Sequence, residues 1–259
     1  MRVVTNQRFI SRRRSIAQVL FIVSLIILVG AFIVNLNVIH VPEAIALLVP
    51  LVALPIGLIT TIISVRLTNL YVRQPHAEDA IREGLKGINR RSSLYNYMLP
   101  ASHVLVTPQG VYSFTTRFQD TPFKVEGDKW YNPKGRGPLA PLSLFFKQES
   151  LGDPFKQAEN EAQGVQAIVD KALPDAGIKV QPAVVFTSLK TILEVVDPVL
   201  PVVYADAKRK PALKSLLKED KKKETAALLN VQQLQALDDA FMAVVGAAKS
   251  EPQLAEDEA

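Results

Sequence analysis

Two long apolar stretches near the N-terminus limit the folds open to this 259-residue chain. Ile16 to Leu36 and Ala44 to Val65 contain no charged residue. Each stretch is long enough to cross a bilayer as a helix, which takes about 20 residues. The sequence therefore predicts that residues 1–75 form a membrane anchor with two transmembrane helices, at about 16–36 and 44–65.

A cleaved signal peptide is the alternative for the first stretch, because arginines at positions 2, 8 and 12–14 form a basic region before it. The apolar run is too long for a signal peptide, and no small-x-small cleavage motif stands near its end. The second apolar stretch also follows directly. We therefore expect a retained anchor.

The positions of the arginines predict the orientation of this anchor. Lys and Arg close to membrane spans tend to stay in the cytoplasm. Arginines precede the first span and follow the second, at Arg66 and Arg73, whereas the connecting loop 37–43 has no Lys or Arg. A multi-pass protein of the cell membrane with both termini in the cytoplasm is the predicted topology.

The second span contains Pro50, Pro55 and Gly57, which favour a kink or close helix packing. A transporter or channel would be expected to carry charge inside the membrane. Both apolar stretches lack it, so the sequence favours a kinked anchor over a transport role.

Charge outside the anchor is nearly balanced. The chain has 30 Lys and Arg against 25 Asp and Glu. Five of the arginines and one acid, Glu43, precede Arg66, which leaves 25 basic against 24 acidic residues. Nucleic acid therefore remains open as a partner but is not favoured. The absence of cysteine excludes disulfides, thiolate catalysis and Cys-ligated zinc.

A β-meander is predicted between Ser102 and Trp130, where short apolar runs alternate with turn signals. Thr107-Pro108-Gln109-Gly110 has the Pro and Gly positions of a type I turn, and Gly127-Asp128 suits a two-residue hairpin. A strand at Ser93–Met98 is predicted to lead into the meander.

Helices and further strands complete an α/β pattern. His76–Asn89 has the spacing of an amphipathic helix, and Asp153-Pro154 is a strong helix start. Apolar runs at Val180–Phe186 and Leu200–Tyr204 read as strands joined by a linker, and residues 131–152 as a long loop. We predict a mixed sheet flanked by helices in 76–225, with a C-terminal helix and acidic tail in 226–259.

The meander and the helix start together resemble the NERD family, a nuclease-related domain of the PD-(D/E)XK class. The shared features are the polar residue before an apolar strand, the P-x-G turn, the aromatic second strand, and Asp153-Pro154-Phe155-Lys156-Gln157 in place of the family's N-P-x-x-Q helix. The resemblance covers roughly Glu78 to Tyr204 and implies a restriction-endonuclease-like fold.

The resemblance also implies where a catalytic site would lie. In the family the first strand opens with Asp and the second ends in Glu-x-Lys; here Ser102, Thr115 and Arg117 hold those places. Three further candidates are Glu78 in the leading helix, Gln157 in the later helix, and Asp120 as a relocated carboxylate near Glu126.

Neutral hydroxyls at two metal-binding positions argue against Mg²⁺ catalysis, because a hard divalent cation needs anionic oxygens. Arg117 keeps a cation but cannot act as a base. Histidines at 40, 76 and 103 show no metal-ligand spacing. The leading hypothesis is a catalytically inactive NERD-like module, with no cofactor, that binds the bilayer and an unknown protein partner. The alternative is a membrane-associated, Mg²⁺-dependent nuclease with relocated carboxylates.

Overall fold

The structure, a computed structural model, describes residues 1–37, 40, 42–131, 151–222 and 229–250. These residues form two compact units. The helical unit is Gln7–His76, and the sheet unit combines Met1–Asn6 with the described residues from Ala77 onward. Most of the predicted loop 131–152 and of the predicted acidic tail lies outside the described residues.

The helical unit is an antiparallel pair, α1 (Gln7–Leu36) and α2 (Glu43–Tyr71). With 30 and 29 residues, both helices are long and apolar enough to cross a bilayer. Each contains a predicted span and extends beyond it. The α2 helix runs without a break through Pro50 and Pro55.

Small residues line the contact between α1 and α2. On α1 every seventh residue is buried, from Ile10 through Ala17 and Ser24 to Ala31, and on α2 Gly57 and Ser64 are buried with the same spacing. A seven-residue period keeps one seam of a helix facing its partner. The hydroxyl of Ser64 donates to the carbonyl of Ala17 at 3.1 Å. Gly57 permits a close approach, because a Cβ there would lie 2.7 Å from Leu28 Cδ2.

Contacts at one end of this pair join the start of α1 to the end of α2. Arg14 Nε donates to the carbonyl of Tyr71 at 2.6 Å, which satisfies a backbone acceptor of the last helical turn. The rings of Phe9 and Tyr71 meet edge to face with centroids 5.9 Å apart.

The sheet unit contains a six-stranded mixed sheet. Its strands are β1 Arg2–Thr5, β2 Ser93–Asn96, β3 His103–Thr107, β4 Gly110–Arg117, β7 Val180–Phe186 and β9 Val202–Tyr204, in the order β1-β2-β3-β4-β7-β9. The strands β2, β3 and β4 pair antiparallel, whereas β1, β7 and β9 pair parallel to their neighbours. Of the meander predicted between Ser102 and Trp130, only the part that forms β3 and β4 lies in this sheet. The structure therefore confirms the predicted mixed α/β fold and the two apolar helices near the N-terminus.

The structure has a second sheet, whereas the sequence predicts one. This sheet contains β5 (Pro122–Glu126), β6 (Lys129–Tyr131) and β8 (Ile192–Val196), in the order β6-β5-β8. The hairpin at Gly127-Asp128 forms between β5 and β6, but its partner β8 lies in the stretch predicted as a linker. β8 escapes detection because alternate residues are half-buried and Glu194 interrupts the apolar run.

Helices cover both faces of the main sheet. They are α3 (Ala77–Gly84), α4 (Pro154–Ala172), α5 (Leu213–Lys222) and α6 (Val231–Ser250). Val104 and Val106 of β3 pack with residues of α4 and α6, whereas Leu105 packs with residues of α3 and α5. The Asp153 side chain caps α4 by accepting from the Lys156 amide at 3.0 Å, as the sequence predicts.

The N-terminal strand makes the division of the chain differ from the predicted boundaries at 75 and 225. β1 pairs with β2 along its whole length, so Met1–Asn6 belong to the sheet unit although the helical unit follows them directly. Arg2 also bonds to Asp238 of α6 at 2.6 Å. The C-terminal helix is likewise part of the sheet unit, since Leu237 and Phe241 are fully buried in its core.

Candidate functional site

The end of β4 and the first half of α4 form the candidate site. Residues alternate along β4, so Val111 and Thr115 face α4 while Tyr112 and Phe114 face the opposite layer. Buried alanines of α4 bring its backbone close to the sheet, at positions 158 and 162. The polar residues next to these alanines therefore meet the polar end of β4.

A glutamate that the sequence analysis did not single out, Glu161 of α4, is the centre of the site. Thr115 Oγ1 donates to Glu161 Oε2 at 2.8 Å. Gln157 Nε2, one helical turn earlier, donates to Glu161 Oε1 at 2.6 Å. Arg117 Nη2 donates to Gln157 Oε1 at 2.7 Å. Both carboxylate oxygens thus accept hydrogen bonds, and a guanidinium is linked to the same group.

Ser102, just before β3, contributes its backbone. Burial raises the pKa of Glu161, and hydrogen bonds from Gln157 and Thr115, the charge of Arg117 and the backbone amide of Ser102 offset part of this rise. Four of the six candidate residues therefore surround one carboxyl group: Ser102, Thr115, Arg117 and Gln157.

Glu78 belongs to a neighbouring polar network on the α3 side of the sheet. The Tyr97 hydroxyl donates to Glu78 Oε2 at 3.2 Å, and the Tyr97 amide donates to the Ser102 carbonyl at 2.7 Å. The Tyr97 ring also packs edge to face on His103, with centroids 4.8 Å apart. Through Tyr97, the backbone of Ser102 connects Glu78 to the Glu161 cluster.

His103 is fully buried and couples this network to the N-terminal strand. Its ring bonds to Asn96 at 2.8 Å, with Nδ1–H donating to Oδ1, and Asn96 Nδ2 donates to the Thr5 hydroxyl at 3.0 Å. Desolvation lowers the pKa of His103 to about 3, so the ring is neutral at physiological pH. Burial and this partner give His103 a structural role.

The other two acidic candidates, Asp120 and Glu126, each bond to a residue outside the Glu161 cluster. Asp120 Oδ1 accepts from the Ser188 hydroxyl at 2.5 Å, in the loops that follow β4 and β7. Glu126 of the second sheet pairs with Lys124 at 3.3 Å. These bonds join Asp120 to the loop after β7 and Glu126 to its neighbour within the second sheet.

The donor set around Glu161 does not fit a divalent metal such as Mg²⁺. Magnesium in proteins takes carboxylate and water oxygens in octahedral geometry. The cluster offers one carboxylate, whose oxygens already accept from Thr115 and Gln157, and it holds the cation Arg117. Among the described residues, no three His, Asp or Glu side chains are placed to hold a metal ion.

A helical spacing would have pointed to Glu161. Gln157 and Glu161 are four residues apart, and Glu161 precedes Ala162 of the buried stripe, so both side chains lie on the edge of α4 nearest the sheet. The apolar residues alone define the stripe, so its periodicity does not mark the polar residue at its border.

Comparison with protein-family models, with curated proteins and with solved structures found no match for this chain.

Proposed function

We propose that this protein is a membrane-anchored, NERD-like binding or scaffolding module in which the nuclease site has become an internal polar network. Its two apolar helices span the cell membrane, and its sheet unit lies in the cytoplasm, where it binds a protein partner. The near balance of charge outside the anchor favours a protein over nucleic acid.

The observation that carries this proposal is that both carboxylate oxygens of Glu161 already accept hydrogen bonds. Residues that hold the family's metal-binding and lysine positions, Thr115 and Arg117, converge with Gln157 on one carboxyl group. Convergence supports descent from a shared site, because Thr115 and Arg117 lie on β4 whereas Gln157 and Glu161 lie on α4, some 40 positions later. Both carboxylate oxygens of Glu161 already accept from Thr115 and Gln157, which leaves little capacity to bind a cation.

The chain order supports the proposed topology. Strand β1 precedes α1, and α3 follows α2, yet both belong to the sheet unit. A chain that leaves this unit, crosses the membrane twice and returns must have both ends on one side. Arginines flank those two ends, so the cytoplasm is the side that we propose.

A metal-dependent nuclease assay on the full-length protein in detergent tests the proposed loss of catalysis. We expect no cleavage of single- or double-stranded DNA with Mg²⁺ or Mn²⁺ above the level seen for Glu161→Gln. Cleavage that requires the metal and disappears in Glu161→Gln or Glu78→Gln overturns the proposal.

A second candidate function is the membrane-associated nuclease with a relocated carboxylate, and the position of Glu161 is the observation that favours it. Glu161 bonds to both Thr115 and Gln157, so a carboxylate does stand beside the matched positions. The relocation that this observation favours is to Glu161 of α4.

Restoring the family's residues tests whether the Glu161 cluster descends from a metal-dependent nuclease site or resembles one by chance. The variant Ser102→Asp/Thr115→Glu/Arg117→Lys, with Glu161→Gln to remove like-charge repulsion, places two carboxylates and a lysine at the matched positions. We expect it to gain Mn²⁺ binding that the wild-type protein lacks. A folded restored variant without Mn²⁺ binding contradicts descent from a metal-dependent nuclease.

A further inference from the structure

The loop that joins β7 to β8, residues 187–191, is held by an arginine from another loop of the sheet unit. Arg209 follows β9, and its guanidinium donates to the carbonyls of Ser188 at 3.4 Å and Leu189 at 3.1 Å. It also donates to the carbonyl of Thr191. The five donors of a guanidinium form a fixed fork that suits several acceptors at once. One side chain therefore holds the backbone of most of this loop.

Further contacts fix both the arginine and the loop. The Arg209 guanidinium lies over the ring of Tyr204, 3.8 Å from its centroid, and the Tyr204 hydroxyl accepts from the amide of Leu193 at 2.6 Å. The Ser188 hydroxyl accepts from the amide of Lys190 at 3.1 Å. A loop that is already held in one conformation loses little entropy when it binds a partner.

Two large apolar side chains of this region are exposed to solvent. Leu189 lies within the held loop and is 65% exposed, and Ile192 is the first residue of β8 and is 61% exposed. Removal of apolar surface from water is the main favourable contribution to most protein association. These two side chains therefore supply the apolar part of a candidate contact surface.

Cations outnumber acids in the loops next to these side chains. The loops that follow the parallel strands β4, β7 and β9 comprise residues 118–121, 187–191 and 205–211. They carry four basic against two acidic residues, a net charge of +2: Lys190, Lys208, Arg209, Lys210, Asp120 and Asp206. The three lysines are exposed, and none forms an ion pair in the part of the chain that the structure describes. We call these lysines, together with Leu189 and Ile192, the loop patch.

We propose that the loop patch binds a short segment of a partner protein that combines Asp or Glu with large apolar side chains. The carboxylates of this segment pair with the lysines, and its apolar side chains cover Leu189 and Ile192. Leucine and isoleucine offer no aromatic face for a nucleobase, so a peptide fits the patch better than a nucleic acid does. The inference rests on the proposed binding function and adds the chemistry of the partner.

Phage display of random peptides on the full-length protein in detergent tests this proposal. We expect the enriched peptides to contain Asp or Glu beside Leu, Ile or Phe. The rate constants of the most enriched peptide are then measured by biolayer interferometry on wild-type protein and on two variants of the patch. Both variants change exposed side chains, and circular dichroism checks that they are folded.

The two variants should affect different rate constants. Leu189→Ser should speed dissociation about fivefold or more, because it removes a central apolar contact. Lys190→Gln/Lys208→Gln should slow association about tenfold and reduce its dependence on salt, because the lysines attract the acidic segment before contact.

Matched substitutions elsewhere in the sheet unit provide the controls. Val231 at the start of α6 is 61% exposed, and Lys171 and Lys179 are exposed near the end of α4 and before β7. Val231→Ser and Lys171→Gln/Lys179→Gln should leave both rate constants unchanged. An equal effect of a control and its matched patch variant overturns the proposal.

Three other results also overturn it. The first is the absence of enriched peptides, and the second is enrichment of peptides without acidic residues, which would indicate a purely apolar surface. The third is displacement of the peptide by a single-stranded oligonucleotide at similar concentration, which would indicate a general anion site. The proposed function fails separately, through metal-dependent cleavage in the nuclease assay. A peptide that binds all variants with equal rates contradicts only the placement of binding on the loop patch.

Discussion

The Thr115 hydroxyl and the Glu161 carboxylate are joined by a hydrogen bond of 2.8 Å across 46 positions of sequence. Thr115 is almost fully buried, with 1% of its surface exposed. A buried carboxylate is costly unless hydrogen-bond donors surround it. The bond therefore gives the buried hydroxyl of Thr115 an acceptor at the polar end of β4.

Replacing Thr115 by valine should destabilise the sheet unit by about 1–3 kcal/mol, because Glu161 loses a donor at a buried position. The shape of the side chain is nearly preserved, so little of this loss comes from packing. Thr116→Val is the matched control, since Thr116 lies on the opposite side of the strand and is only half-buried. Denaturant unfolding of both full-length variants at neutral pH measures the difference, and equal losses would refute the role of the hydrogen bond.

Glu161 should make stability fall as the pH rises. Its pKa is raised above the ordinary value of 4.5, so the folded protein holds this proton more tightly than the unfolded chain. The stabilisation is complete below pH 4.5 and is lost as the pH rises through the higher folded pKa. Glu161→Gln should remove this component from the curve of unfolding free energy against pH. Wild-type and variant curves that stay parallel across this range would contradict the assignment.

His103 should make stability fall as the pH falls, the opposite of the effect of Glu161. Its folded pKa of about 3 lies below the ordinary value of 6.5, so the unfolded chain binds a proton that the folded protein excludes. Stability is full above pH 6.5 and is lost as the pH falls toward 3, by at most about 5 kcal/mol. His103→Gln should flatten this acid limb, whereas the exposed His40→Gln should leave it unchanged. The slope of unfolding free energy between pH 6.5 and 4 is the measurement.

Gly84 should not tolerate a side chain. A Cβ at this position would lie 2.0 Å from the carbonyl oxygen of Ala205, a backbone atom that cannot move aside cheaply. Gly84→Ala should therefore destabilise the sheet unit by about 3 kcal/mol. Gly30→Ala is the control, because that helical glycine has nothing within 4 Å of the added carbon. Thermal unfolding followed by circular dichroism compares them, and an unaffected Gly84→Ala protein would show that α3 can shift.

Features set by neighbouring residues were predictable from the sequence. The Asp153 cap, the turn at Pro108-Gln109 and the hairpin at Gly127-Asp128 each depend on a few adjacent positions. The two apolar helices follow from composition alone. The family resemblance, rather than local chemistry, predicted Thr115 and Arg117 at the end of the second meander strand, and they lie at the end of β4.

Features set by distant pairing were not predictable. β1 has four residues and no turn signal, and its strand character depends on β2, some 90 positions later. β8 depends in the same way on β5, and Glu161 acquires its role only when α4 packs on β4. Long-range contacts of this kind leave no periodicity within the segment itself.

The central claim is that the hydrogen-bonded carboxylate of Glu161 does not bind a divalent metal ion. The most direct test measures Mn²⁺ binding to the full-length protein in detergent, by electron paramagnetic resonance of the free ion. We predict that wild-type protein and Glu161→Gln remove equally little Mn²⁺ from solution at micromolar concentration. One tightly bound Mn²⁺ per chain in the wild type, lost in Glu161→Gln, would contradict it.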